Sequence, residues 1–253
     1  MIMTVFSYGT DARLEFCREI LEEKEYLGLS RVILLPVPST KDGTHIFGTD
    51  TAFSEICGSL MPRDLLVGYG LPKEVREAVS VIGGAVLDLS LDEDYIMENA
   101  HLTAIGTAAR LLENGSVAPS DMKVGVIGYG RIGEKLTHIL MFLGASVKVF
   151  TSKSELRRRL CMLGISAVDY NSEEEMALAF ADLDILINTA PARLISEESA
   201  KVLSKKRVIE LASGENLPRC LTFERMASIP AVTFPKSAGK AIARSVDRAL
   251  KTN

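Results

Sequence analysis

The chain has little of what would mark several functional classes. Its four cysteines, Cys17, Cys57, Cys161 and Cys220, lie far apart and form no Cys-x-x-Cys pair. They read as reduced packing residues, and neither a zinc site nor a disulfide framework is indicated. The three histidines, His45, His101 and His138, have no metal-ligand spacing, so no metal is expected. Basic residues are not in excess: 29 Lys+Arg against 33 Asp+Glu leave a net charge of −4. That balance argues against nucleic acid or an anionic membrane as a partner. No apolar run reaches membrane-spanning length, and Met1–Gly9 has no basic region followed by a cleavage site. That segment reads as a first β-strand, and a cytoplasmic location is expected.

What is present is a Gly-rich turn in a telling context. Residues 123–133 read Lys-Val-Gly-Val-Ile-Gly-Tyr-Gly-Arg-Ile-Gly. A buried-strand pattern (Val124–Ile127) runs into Gly128-Tyr129-Gly130-Arg131-Ile132-Gly133, a helix pattern follows to Leu143, and a second strand is expected over Ser146–Phe150. Gly128 permits the tight turn, Gly130 lets a pyrophosphate approach the backbone, and Gly133 lets the helix pack on the sheet. The helix N-terminus, with Arg131 and Ile132 in its first turn, offers N–H groups and partial positive charge to phosphates. A dinucleotide is therefore the expected ligand.

A carboxylate is absent where NAD-binding folds usually carry one, at the end of the second strand. In its place stand Thr151, Ser152 and Lys153, then Arg157-Arg158-Arg159. A 2′-phosphate needs donors and positive charge, so NADP(H) is preferred over NAD(H). Consecutive helical residues point in different directions, so at most one or two of the three arginines face the ribose. Glu155 is still within reach of a ribose hydroxyl, which keeps NAD in play.

At 253 residues the chain fits one large domain or two modest ones. Strand and helix patterns alternate throughout, which argues for an α/β fold with parallel sheets. The expected elements of the first part are strands at Ile2–Tyr8, Arg31–Pro36, Leu65–Gly70 and Ala85–Leu89, with helices at Asp11–Tyr26 and Lys73–Val79. Pro38–Thr51 is rich in turn residues and reads as a loop. A long helix over Asp92–Glu113 ends at Asn114-Gly115. Beyond the fingerprint, Glu173-Glu174-Glu175 reads as a helix N-terminal turn. Strands are expected at Ala181–Asn188, Arg207–Ala212 and Ala231–Phe234, and a closing helix at Ser237–Lys251. The division that follows is an N-terminal α/β substrate domain (1–91), an interdomain helix and linker (92–118), a Rossmann domain (119–236) and a C-terminal helix (237–253) packing back on the first domain.

Ligands of open parallel sheets gather at the carboxyl ends of strands. That rule selects Gly9–Arg13, Pro36–His45, Tyr69–Leu71, Gly128–Gly133, Asn188–Pro191, Ala212–Gly214 and Phe234–Ser237. Facing strand ends of two domains would form a cleft, with the dinucleotide on one wall and the substrate on the other. Asn188, Thr189 and Pro191 follow the fourth Rossmann strand, where the nicotinamide ribose passes.

Taken together these segments resemble the A subunit of dipicolinate synthase, an α/β dehydrogenase-like family of spore formers. Gly9-Thr10-Asp11-Ala12-Arg13 is similar to that family's Gly-Asp-x-Arg start, and Val32–Pro38 to its Leu-Pro-Val loop. Thr103–Ala108 sits where the family has Thr-x-Glu-Gly. Gly128–Gly133, Ile187–Pro191, Leu211-Ala212-Ser213 and Phe234–Gly239 continue the series in order. The resemblance implies a fold like that of the D-2-hydroxyacid dehydrogenases: a C-terminal Rossmann domain plus a smaller flavodoxin-like N-terminal substrate domain, joined by a long helix. It also implies an NADP-linked step on a cyclic dicarboxylate, dihydrodipicolinate or its hydroxylated precursor. A role in sporulation and a flavoprotein-like partner, serving as the second subunit, are implied with it. A homo-oligomer is expected as well. The chain departs from the family at Ile105, which replaces a glutamate, and at Gly214–Pro218, which replaces a Gly-Gly-x-Asp-Phe stretch. The first domain is shorter by roughly one βα unit at Ser30–Arg31, as in a shortened paralogue.

Arg13 is a candidate for holding a substrate carboxylate through its planar fork, or else Asp11 and Arg13 together cap the first helix. Lys236, in a strand-to-helix loop with Ser237, is a candidate carboxylate ligand or general acid. His45 is the one histidine on a first-domain loop and a candidate proton carrier; Thr40 and Lys41 on the same loop are candidate anion ligands. Two functions follow. One is an NAD(P)-dependent oxidoreductase on a small carboxylated substrate. The other, favoured by Ile105 and the altered 214–218 stretch, is a catalytically inactive dinucleotide-binding subunit or sensor.

Overall fold

The computed structural model describes residues 4–24, 26, 29–113 and 116–251. The expected strand start at Ile2-Met3 and the helix stop at Asn114-Gly115 lie outside these residues. The chain divides into two compact units. One runs to Leu102 and resumes at Pro230; the other is Thr103–Ile229.

The first unit begins with β1 (Thr4–Ser7), α1 (Ala12–Glu22), β2 (Arg31–Leu34), α2 (Phe53–Ser59), β3 (Leu65–Gly68), α3 (Lys73–Ile82) and β4 (Ala85–Asp88). It then takes the start of α4 (Glu93–Glu113). Its four strands pair in parallel in the order β1-β2-β3-β4. The flavodoxin order is 2-1-3-4-5; removing its second, outer strand leaves this one. That is the outcome expected from a βα unit missing ahead of Arg31.

Alternation along the strands explains the layering. Val32, Leu34, Leu65 and Val67 turn to one face, packing against Leu14, Cys17 and Leu21 of α1 and Ile242 and Val246 of the chain's last helix. Ile33, Leu35 and Leu66 turn to the other, against Phe53 and Ile56 of α2 and Val75 and Val79 of α3. Both faces are covered, as an all-parallel sheet requires.

The second unit holds the rest of α4, a 3₁₀ turn at Pro119–Asp121, β5 (Lys123–Ile127), α5 (Arg131–Phe142), β6 (Ser146–Phe150), α6 (Ser154–Met162) and β7 (Ser166–Val168). It continues with α7 (Glu173–Ala181), β8 (Ile185–Asn188), α8 (Glu197–Leu203), β9 (Arg207–Glu210) and β10 (Glu224–Arg225). The six strands are parallel in the order β10-β9-β8-β5-β6-β7. Counted from β5 this is 6-5-4-1-2-3, the doubly wound Rossmann order, with its switch point between β5 and β8. Ala104, Ala108 and Leu111 of α4 and Leu136 and Leu140 of α5 cover one face. Met176, Phe180 and Leu203 of α7 and α8 cover the other.

One expected strand is corrected. Ala231–Phe234 is not extended: α9 (Ile229–Thr233) leads into α10 (Pro235–Lys251), with helical backbone bonds from Phe234 N to Pro230 O (3.1 Å) and Ala238 N to Phe234 O (2.9 Å). Pro235 suits the first helical position, where its missing N–H costs nothing. β7, β10, α2 and α8, each seven residues or fewer, were not expected from the pattern. The cysteines also need correction. None of the four is paired, but only Cys17 is buried, its thiol pushed up to about 12 by burial and by Asp247; Cys161 and Cys220 are exposed and do not serve as packing residues.

Within the first unit α10 meets α1 at a point without a side chain. A Cβ on Gly239 would lie 2.5 Å from Arg13 O and 2.8 Å from Phe16 Cβ. Backbone cannot yield as a flexible side chain can, so Gly239→Ala is expected to destabilise the protein by about 1–3 kcal/mol. Denaturant unfolding checks this, and an unchanged midpoint at equal slope would count against the close packing.

Candidate functional site

The Gly-rich turn follows β5 directly. Gly128 has φ +90, a region that glycine enters without penalty, and a Cβ there would meet Thr189 Oγ1 at 2.9 Å. Gly133 is more constrained: a Cβ would lie 2.3 Å from Gly128 O. The first turn of α5 therefore rests on the end of β5 because neither residue carries a side chain. Gly130 differs. A Cβ there meets nothing within 4 Å, so the protein itself does not need a glycine at this position. Gly130 is also the N-cap of α5 and supplies no side-chain cap. The first-turn N–H groups of a helix have no partner within it, and with the dipole they favour an anion at this mouth. Tyr129 OH is held by His138 Nε2 (3.0 Å).

At the end of β6, Thr151 is buried, and its Oγ1 accepts from Lys153 N (3.3 Å). Ser152 Oγ donates to Tyr170 OH (3.0 Å). The arginine run separates as helical geometry demands. Arg157 turns inward, donating to Thr151 O (2.8 Å) and pairing with Asp169 at 2.6 Å. Arg158, Arg159, Lys153 and Glu155 are exposed. Arg157 is thus already neutralised, and Lys153 is the exposed cation adjoining the Thr151-Ser152 pair.

The ends of β8 and β9 carry a buried polar network. Asn188 Nδ2 donates to both carboxyl oxygens of Glu210 (3.1 and 3.2 Å) and to Ala190 O (3.1 Å), while its Oδ1 accepts from Ala190 N (3.1 Å). Thr189 N and Oγ1 both donate to Ile127 O (3.0 and 2.8 Å), which seats Thr189 against the Gly-rich turn. Glu210 has no exposed surface and also accepts from Ala212 N (2.9 Å). Burial raises its carboxyl above the usual range, and the bonds from Asn188 and Ala212 offset this in part. Glu210 was not among the expected site residues. The switch point thus brings together Gly128, Gly130, Gly133, Asn188 and Thr189; Pro191 lies exposed just beyond.

The remaining candidates are in the first unit. Asp11 is the N-cap of α1, accepting from Arg13 N (3.1 Å). Its carboxylate takes Arg13 Nε (2.9 Å) and Nη2 (2.7 Å) and Val37 N (3.1 Å). Burial opposes its ionisation, but Arg13 outweighs this and holds the carboxyl below its ordinary value. Arg13 Nη2 also bonds Val37 O. The Nε–Nη2 edge expected to grip a substrate carboxylate is therefore already filled by Asp11. Thr40 Oγ1 donates to Asp42 (3.1 Å) and accepts from Gly43 N (2.9 Å). His45, exposed, has its Nδ1 2.9 Å from the Asp42 carboxylate. Hydrogen bonds from Thr44 N and His45 N hold the Asp42 carboxyl well below its ordinary value. Lys236 and Ser237 are corrected in position. They are exposed on the first turn of α10, not in a strand-to-helix loop.

A parallel sheet of this order with a Gly-x-Gly-x-x-Gly turn at its switch point is the fold of the Rossmann-type dehydrogenases. The chain is similar to the A subunit of dipicolinate synthase from Bacillus halodurans (20% identity, TM-score 0.75, 98% of this chain and 97% of the other). It is also similar to the corresponding dipicolinate synthase polypeptide from Bacillus subtilis (19%, 0.76, 100% and 97%). D-lactate dehydrogenase from Escherichia coli is a more distant likeness (11%, 0.59, 98% and 95%). No protein-family model matches the chain, and no curated protein matches its sequence. Likeness at these identities shows the fold. No helix among the described residues is long and apolar enough to cross a membrane.

The unequal space at two glycines yields a stability prediction. Gly130→Val should cost no more than about 1 kcal/mol, the scale of an N-cap change. Gly133→Ala should cost about 1–3 kcal/mol or more, because backbone must move. Thermal unfolding of the two variants checks the order; the reverse order would contradict the packing.

Proposed function

We propose that the chain is an NADP(H)-dependent oxidoreductase acting on a small carboxylated substrate, in the manner of the dipicolinate synthase A subunits. The observation that carries the proposal is the open face of Gly130. The turn packs so tightly at Gly133 that a side chain is excluded, yet at Gly130 a side chain is excluded by nothing in the protein. Packing against Gly128 O accounts for Gly133, and a diphosphate resting on the main chain at the helix mouth accounts for Gly130. Gly128, Arg131, Ile132 and Gly133 frame that mouth, and Asn188, Thr189 and Pro191 flank it at the switch point.

The cofactor, when bound, supplies two-electron hydride exchange; the protein supplies binding and orientation. Preference for the phosphorylated form rests on Thr151, Ser152 and Lys153 and on the missing carboxylate at the end of β6. Asp169, an acid beside this region, is occupied by Arg157. The substrate reading, dihydrodipicolinate to dipicolinate, rests on the resemblance. So do the role in sporulation and the flavoprotein-like second subunit. A homo-oligomeric, cytoplasmic protein belongs to the same proposal.

A second reading has two observations in its favour. The fork of Arg13 is taken by Asp11, and Ile105 stands where the resemblance has a glutamate. A dinucleotide-binding subunit or sensor without turnover would tolerate both. Reduced-nicotinamide absorbance appearing when dihydrodipicolinate is added with NADP+, with and without a flavoprotein-like partner, separates the readings: turnover supports the enzyme, and tight binding without turnover supports the sensor.

The cofactor claim has its own test. By fluorescence titration NADPH should bind more tightly than NADH, Lys153→Glu should narrow or reverse the difference, and Gly130→Val should abolish binding of both while remaining folded. Equal affinities in the wild type would refute the ribose argument, and undiminished binding by Gly130→Val would refute the phosphate argument.

A further inference from the structure

We infer that Glu210 is a positioning residue for the nicotinamide half of the dinucleotide, acting by fixing the loop after β8 to the loop after β9. The inference rests on the proposed dinucleotide site. Parallel register places Asn188 beside Glu210 at the carboxyl ends of adjacent strands. A glutamate with no solvent access is costly unless its oxygens are satisfied. Its partners serve both loops. Asn188, the last residue of β8, closes the first through two bonds to Ala190. Ala212 belongs to the second, and donates its N–H to the same carboxyl oxygen that Asn188 reaches.

The second loop is held from its other side as well. Arg225 of β10 donates to Ala212 O (3.2 Å) and Gly214 O (2.9 Å), and the buried Asn216 side chain donates to Ser213 O (2.9 Å). Arg193 Nε reaches Glu215 O (3.0 Å) across the two loops. Glu210 has no exposed surface, and its removal leaves Asn188 Nδ2 and Ala212 N without their shared acceptor. Asn188 would then lose the anchor that ties the end of β8, next to Thr189, to the loop after β9. Such networks hold geometry when complete and lose it when one member is missing. The raised carboxyl of Glu210 fits a group placed for geometry rather than for charge.

The test compares whole and half ligands. NADPH and 2′,5′-ADP are titrated against wild type, Glu210→Ala and Glu210→Gln, with circular dichroism as the check on folding. Glu210→Ala should weaken NADPH by at least about tenfold and leave 2′,5′-ADP unchanged, because the adenosine half lies at the β6 end. Glu210→Gln keeps an acceptor oxygen for Ala212 N and Asn188 and should stay within about threefold of wild type for both.

Unchanged NADPH affinity in Glu210→Ala would overturn the inference. Equal weakening of both ligands would also overturn it, because that is the mark of a general structural role. Wild type binding neither ligand, nor NADH, would overturn the dinucleotide reading itself and this inference with it. If Glu210→Ala does not fold, Glu210→Asp takes its place; its carboxylate is one methylene too short to serve both loops. It should show the same selective loss in smaller measure, and wild-type NADPH affinity in that variant would refute the inference.

Discussion

The approach of α5 to the end of β5 is the contact on which the second unit's site depends. Its closeness is set by Gly133, where a Cβ would lie 2.3 Å from Gly128 O. With the helix seated there, its N-terminal turn opens at the carboxyl edge of the sheet. The switch point beside it leaves β8 to supply Thr189, which bonds back to Ile127 O. Any bulk at Gly133 would lift the helix from the strand and separate the dipole from the turn. Gly130, by contrast, is free of the protein and matters only to what binds.

The two units solve the same problem at their strand ends with the same kind of group. In the first, Asp88 ends β4 and accepts from Gly70 N (2.9 Å), Leu71 N (3.0 Å), Ser90 N (3.0 Å) and Ser90 Oγ (2.7 Å). In the second, Glu210 ends β9 and accepts from Asn188 and Ala212. Each carboxyl gathers donors from the loop after its own strand and from the carboxyl end of the neighbouring strand or the loop that follows it. The balance of burial and donors differs. Burial is outweighed at Asp88, which is held below its ordinary value, whereas at Glu210 burial prevails. A carboxyl with many backbone N–H donors behaves as a cap; one deeply buried with few behaves as a strut.

Much of the fold was legible because its signals are local. Apolar runs such as Val32–Leu35 and Leu65–Val67 mark buried parallel strands, and Gly128 and Gly133 fall at the two places where the turn's own geometry calls for glycine. Short elements were not legible: β10 has two residues, and its pairing with β9 is a tertiary matter. Ala231–Phe234 looked extended because Val232 and Thr233 are β-branched, but a weak propensity yields when helical bonds to Pro230 and Phe234 are available. Among the site residues, Arg13 was seen to be important, but whether its partner is a ligand or Asp11 depends on the fork geometry at the N-cap. Glu210 gave no sign, since a glutamate after Arg-Val-Ile reads as the polar end of a strand. Its role arises from the register that sets it beside Asn188, a relation between segments 22 residues apart in the chain.

The most direct measurement is an amide-resolved NMR titration of the wild-type protein with NADPH. Saturable shifts should concentrate at Tyr129–Gly133, at Thr151–Lys153 and at Thr189, with the core strands unmoved. Saturable binding that leaves the amides of Gly130–Gly133 undisturbed, or no binding at all, would contradict the account.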